Sequence, residues 1–210
     1  MRIGVVGAGR IGGNLAQLLT RAGHEVIISY ARDAGELAAR AAEFGCRAGS
    51  VSEAAAFGEV VVLSVPWPNI DAVLAEAGPM AGKIVIDTTN HFAAAGLTDL
   101  REGTAAQVNQ ARMPAARLVK AYNTLTARFQ AATAGHTGPD RVVMFLCGDD
   151  EAAKTVVSGL IDETGFTPFD VGALADGVVM EAPRRPGAVY GEEFSEASAR
   201  RFFDARRSAG

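Results

Sequence analysis

A glycine-rich turn between a strand and a helix, placed at the start of the chain, restricts the possible folds more than any other feature. Arg2-Ile3-Gly4-Val5-Val6 reads as a short buried strand, and Gly7-Ala8-Gly9-Arg10-Ile11-Gly12 follows it with GxGxxG spacing. In a chain with 24 glycines the spacing alone says little. A strand ending at Val6 and a helix opening at the third glycine make it specific, because each glycine then has a separate task. Gly7 permits the tight turn, Gly9 lets a pyrophosphate approach the backbone, and Gly12 lets helix and strand pack closely. Free N–H groups and the positive end of the new helix supply an anion site. Gly7, Ala8, Gly9, Arg10, Ile11 and Gly12 are therefore read as a pyrophosphate cradle.

The pattern continues along the chain. Short apolar, β-branched runs lie at Ile3–Val6, Glu25–Ser29, Val60–Val65, Lys83–Asp87, Leu118–Ala121, Arg141–Cys147 and Thr167–Val171. They alternate with alanine- and leucine-rich stretches, as in successive βα units. Nearly pure apolar runs such as Val60-Val61-Val62-Leu63 suit parallel strands covered on both faces. Helices are expected at Gly12–Ala22, Asp33–Phe44, Ile70–Glu76 and Asp150–Thr164, and Ser50-Val51-Ser52-Glu53 matches a capping box. The fold class is α/β, a Rossmann-type doubly wound, mostly parallel sheet with a small C-terminal extension. Composition shifts after about Val178, which divides the chain into a dinucleotide-binding domain with its substrate cleft (1–178) and the extension (179–210). There Glu192–Arg207 sets Phe194, Ala197 and Phe202 roughly on one helical side. That helix is expected to pack on the domain or on a partner subunit.

The second strand selects the cofactor. A site built for NAD carries Asp or Glu at this strand's end, where it holds the ribose hydroxyls. Here the segment is Ile28-Ser29-Tyr30-Ala31-Arg32, with no acid at the strand end. A guanidinium suits a 2′-phosphate, so Arg32 points to NADP(H), with Ser29 or Tyr30 donating a further bond or lying near the adenine. Asp33 is read instead as the start of the next helix.

Bulk properties remove other classes. Hydrophobic residues are 49% and charged residues 21% of the 210, a globular balance. A net charge of −4 argues against a general nucleic-acid surface. Cys46 and Cys147 stand far apart without CxxC spacing, which gives no disulfide framework and no metal site. Apolar runs are strand-sized, so no membrane span is expected. A strand beginning at Arg2 leaves no room for a secretory leader, and the expectation is a cytoplasmic protein.

The sequence also resembles the NADPH-dependent reductases of the deazaflavin coenzyme F-420, over roughly residues 1 to 182. Its landmarks are the glycine loop, Ala22-Gly23-His24-Glu25-Val26, the Arg32 loop, Ser64-Val65-Pro66-Trp67 and Val85-Ile86-Asp87-Thr88-Thr89-Asn90. They continue with Val119-Lys120-Ala121-Tyr122-Asn123-Thr124, Cys147-Gly148-Asp149-Asp150 and Asp170-Val171-Gly172-Ala173-Leu174. The resemblance implies hydride transfer between nicotinamide C4 and deazaflavin C5, and a homodimer. It implies that Ser64, Val65 and Pro66 line the nicotinamide pocket, and that Asn90, Asn123 and Thr124 line the cleft of the second ring. Two places depart from the family. Ala31 stands where many relatives have serine, and an unusual Ala182–Gly191 segment replaces the apolar, helical ending that helps shape the second-substrate pocket.

Hydride transfer between planar rings needs stacking more than acid-base groups, which agrees with the lack of an obvious catalytic dyad. Trp67 is read as a shield for the nicotinamide or as packing, and His91 as a neighbour of the cleft or a loop residue. One alternative is an NADPH-dependent reductase of a small carbonyl or imine compound, with Lys120 or Tyr190 as proton donor. Another is an NADP(H)-sensing regulatory protein without turnover.

Overall fold

The computed structural model describes residues 1–30, 33–100, 102–138 and 141–209. Eight strands form one sheet in the order β10-β9-β8-β5-β4-β1-β2-β3. They are β1 (Arg2–Val6), β2 (Glu25–Ser29), β3 (Arg47–Ala48), β4 (Val60–Leu63), β5 (Ile84–Asp87), β8 (Arg117–Ala121), β9 (Val143–Gly148) and β10 (Thr167–Asp170). A two-stranded hairpin, β6 (Phe92–Ala93) with β7 (Gly96–Leu97), stands apart. All seven strands expected from the sequence are present, and the sheet is mostly parallel. Among the described residues of this sheet only the β8–β9 strand pairing is antiparallel, so β9 and β10 run against the rest.

The strand residues split by parity. Val6, Ile27, Val61, Leu63, Val85, Leu118 and Phe145 face one core. Ile3, Val5, Ile28, Val60, Val62, Ile86, Val119 and Leu146 face the other. Helices cover both faces, which is why runs such as Val60–Leu63 carry no polar residue. Along the chain the helices are α1 (Arg10–Arg21), α2 (Ala34–Phe44), α3 (Val51–Phe57), α4 (Ile70–Ala77), α5 (Ala105–Arg112), α6 (Ala127–Thr133), α7 (Glu151–Glu163) and α8 (Glu196–Ala209). Caps fix several starts. Asp33 accepts from Glu36 N at 2.8 Å, the Ser50–Glu53 box closes on α3, and Asp150 accepts from Ala153 N at 2.9 Å.

The C-terminal helix begins at Glu196, four residues later than its apolar spacing suggested. Phe194 precedes it and Ala197 is exposed. The packed side carries Ala199, Phe202 and Phe203, with Phe203 stacked on Phe169 at 5.2 Å and Phe194 edge-on to Phe145 at 5.4 Å. This aromatic cluster holds the chain end against β9 and β10.

Candidate functional site

Chain order reverses at β1, which has β2 on one side and β4 on the other. Ligands in open α/β sheets bind beyond the strand ends at such a point. The glycine loop occupies it. Gly7 has φ +123°, its N–H donates to Ser29 O at 3.0 Å, and Ala8 N–H donates to Tyr30 O at 3.0 Å. A methyl group on Gly7 would lie 2.0 Å from Ser64 O, and one on Gly12 would lie 1.9 Å from Gly7 O. Both are places where only glycine lets two backbones meet. Gly9 is different, because a methyl group there would meet nothing within 4 Å. Gly9 is also the N-cap of α1, gives no side-chain cap, and is followed by no acid in the first turn. The first N–H groups of α1 are thus left for an anion.

A groove of about 620 Å³ runs from this loop and is lined by Gly7, Ala8, Gly9, Arg10, Tyr30, Glu36, Arg40, Ser64, Pro66 and Asn69. Tyr30 takes φ +63°, and its hydroxyl accepts a 2.8 Å bond from Asn69 Nδ2. This bond ties the β2 side of the switch point to the β4 side. Arg40 donates to Ala8 O and to Glu36 Oε1, both at 2.7 Å. Ser29 is not in the groove: it is fully buried and its hydroxyl donates to Val5 O at 3.2 Å. A strand covered on both faces turns even its last side chain inward. Arg32 lies outside the described residues.

A second groove, about 410 Å³, shares Gly9, Arg10, Ser64 and Pro66 with the first and continues over Ile11, Val65, Trp67, Thr88, Thr89, Asn90 and Phe92. The two make one cleft that bends over the glycine loop. Asn90 is held on three sides: Nδ2 donates to Asn123 O at 3.0 Å, and Oδ1 accepts from Asn123 Nδ2 at 3.3 Å and Ala182 N at 3.2 Å. Asn123 and Thr124 are buried behind it and do not line either groove, since the Asn123 amide is spent on Asn90 and on Met180 O at 2.7 Å. Asn123 Oδ1, Thr124 Oγ1 and His91 Nδ1 are buried without a hydrogen-bond partner among the described residues. Trp67 is a packed wall with its face under the Arg112 guanidinium at 4.6 Å and its ring edge-on to His91 at 6.2 Å. Burial holds the His91 imidazole below its ordinary pKa.

Beneath Thr89 and Asn90 lies a buried charge cluster. Lys120 Nζ donates to Asp87 Oδ2 at 3.0 Å and Thr89 O at 2.8 Å, and Glu181 Oε1 stands 3.6 Å away. Asp87 also accepts from Thr89 N, Thr89 Oγ1 and Asn109 Nδ2. Glu181 takes the N–H groups of Ala105 and Ala106 at 2.7 and 2.9 Å. Burial alone would push the Lys120 ammonium down, but the two carboxylates outweigh it and hold it above the ordinary lysine value. The ammonium therefore stays charged. Cys147, nearby, has its thiol pushed up to about 12 by burial and is unreactive.

Several lining residues were not anticipated from the sequence: Arg40, Glu36, Asn69 and Phe92. Glu36 and Arg40 form an i,i+4 pair, the usual mark of a solvated helix face, and only the docking of α2 brings Arg40 to the glycine loop.

Comparison with known proteins agrees with this geometry. A family model described as NADP oxidoreductase, coenzyme F420-dependent, matches residues 2–91. A hypothetical protein of Sinorhizobium meliloti is similar in structure, with TM-score 0.83 and 30% identity, covering 93% of this chain and 96% of that one. A protein of Arthrobacter sp. FB24 named as an F-420-dependent NADP-reductase gives TM-score 0.72 and 29% identity over 85% of this chain and 88% of that one. The metalloreductase STEAP3 of Rattus norvegicus is 30% identical over 184 residues, 86% of this chain, and this chain spans 36% of that relative's length. The glycine cradle at the switch point lies within residues 2–91, so this part of the chain carries a domain similar to the coenzyme F420-dependent NADP oxidoreductases.

Proposed function

We infer that the protein moves a hydride between NADPH and a flavin-like acceptor, with the deazaflavin coenzyme F-420 as the best candidate. The observation that carries this reading is the composition of the second groove. Its walls are aliphatic, aromatic, hydroxyl and amide groups, and among the described residues Arg10 is its one titratable side chain. Hydride passage between stacked rings requires position and exclusion of water rather than a proton donor.

Gly9 and the opening N–H groups of α1 would hold the pyrophosphate, with Gly7 and Gly12 shaping the loop. Tyr30, Asn69 and Arg40 would border the adenosine end, and Arg32 would take the 2′-phosphate. Ser64, Val65, Pro66 and Asn90 would hold the nicotinamide, which supplies the hydride when the cofactor is bound. Trp67 and Ile11 shield that end from water. Asn123 acts from behind, by fixing Asn90.

Reduction of a carbonyl or imine draws less support. Lys120, one of the two donors suggested for it, is fully buried and engaged by Asp87, Thr89 and Glu181. Tyr190, the other, lines neither groove.

Arg32→Ala tests the cofactor assignment. Loss of a charge-assisted contact to phosphate costs about 1.5–3 kcal/mol, so the NADPH-over-NADH preference in kcat/KM is expected to fall about 10- to 100-fold. An unchanged preference would remove Arg32 from the site.

A further inference from the structure

Of the ten phenylalanines in the chain, Phe92 alone is left exposed. It is 45% exposed, and Leu97, its partner across the β6–β7 hairpin, is 41% exposed. Burial is the rule for phenylalanine, so a ring held at the surface calls for a reason. The hairpin does not join the main sheet, and Phe92 belongs to neither core. It lines the second groove instead.

The local structure fixes it there. Neighbouring side chains on an extended segment point to opposite sides. His91 is buried and edge-on to Trp67 at 6.2 Å, which turns Phe92 outward. The backbone is tied as well: Phe92 N–H donates to Asn90 O at 2.8 Å, and Thr98 N–H to His91 O at 2.7 Å. The groove itself is graded in depth. Val65, Trp67, Thr88 and Thr89 are buried in its wall, whereas Arg10, Pro66 and Phe92 are exposed and form its rim. Among the described residues Phe92 is the one aromatic ring on that rim.

A nicotinamide seated on the buried wall keeps one face toward the rim. A ring that exchanges hydride with it must lie over that face, and so comes to the rim beside Phe92. An offset or edge-on phenylalanine suits a flat π system and gives a small aliphatic carbonyl compound much less to pack against.

We propose that Phe92 packs against the planar ring of the hydride acceptor and makes the site selective for flat aromatic acceptors. The proposal rests on the flavin-like acceptor reading above.

The test is fluorescence titration of the NADP⁺-loaded protein with riboflavin and with F-420, in wild type, Phe92→Ala and Phe92→Tyr. Phe92→Ala is expected to weaken whichever of the two rings the wild type binds by about tenfold. Phe92→Tyr is expected to keep that affinity within about threefold, because the aromatic face remains. The NADP⁺ affinity and melting temperature of Phe92→Ala are expected to match wild type. Undiminished ring binding in Phe92→Ala, or an equal loss of NADP⁺ affinity, would overturn the proposal and leave the acceptor reading in place. A wild type that binds neither ring would overturn the acceptor reading and this contact with it. Sedimentation velocity covers the other use of an exposed ring. A wild-type dimer that becomes a monomer in Phe92→Ala would assign the side chain to a contact between copies and overturn the proposal.

Discussion

In Gly9→Ala, NADPH affinity is expected to fall about 10- to 100-fold while the apoprotein melts within about 4 °C of wild type. The added methyl group touches nothing in the protein, and alanine in place of an N-cap glycine costs at most about 1 kcal/mol. It does occupy the space through which a pyrophosphate would approach the backbone, and crowding of that kind costs about 1–3 kcal/mol. Gly12→Ala should behave differently. Its methyl group would lie 1.9 Å from Gly7 O, so strand and helix must separate before any ligand arrives. A loss on the order of 2 kcal/mol, or about 4–8 °C in Tm, is expected together with loss of NADPH binding. Thermal melts and fluorescence titration with NADPH read both effects. Wild-type affinity in Gly9→Ala would mean that no phosphate passes over that glycine.

Lys120→Met is expected to destabilise the protein by about 3–5 kcal/mol, because it strands Asp87 and Glu181 as buried carboxylates. Methionine has a similar length, so the loss reflects charge more than volume. Adding Glu181→Gln to Lys120→Met should return part of it, since one stranded charge is then gone, while the amide oxygen still accepts from one of the Ala105 and Ala106 N–H groups. Urea denaturation of the single and double variants measures both steps. A loss under about 1 kcal/mol for the single variant would show that the cluster is not a closed ion network.

Much of the sheet was legible because its strands are β-branched runs too apolar for anything but a doubly covered layer. The direction of β9 was not, since a strand reads alike in either sense and only its pairing with β8 fixes the choice. The helices α5 and α6 escaped notice, being eight and seven residues long. Their caps were nonetheless in the sequence: Thr104 with Gln107 makes a capping box, and Thr126 accepts from Phe129 N. At the site, the glycine loop and the Ser64–Trp67 and Asn90 segments are brought together as their positions after strands implied. Asn123 and Thr124 follow β8 in the same way, yet lie behind Asn90, because the chain after Glu181 covers them. Tail contacts of this kind, such as Ala182 N to Asn90 Oδ1 and Asn123 Nδ2 to Met180 O, join residues far apart in the chain, and no local pattern announces them.

The most direct test of the central claim is anaerobic oxidation of NADPH by the purified protein, with F-420, FMN, FAD and riboflavin offered in parallel. Saturable turnover that is fastest with F-420 is the predicted result. Saturable NADPH binding with no turnover on any of the four would contradict the flavin-like acceptor and leave the site to a small carbonyl substrate or to a sensing role.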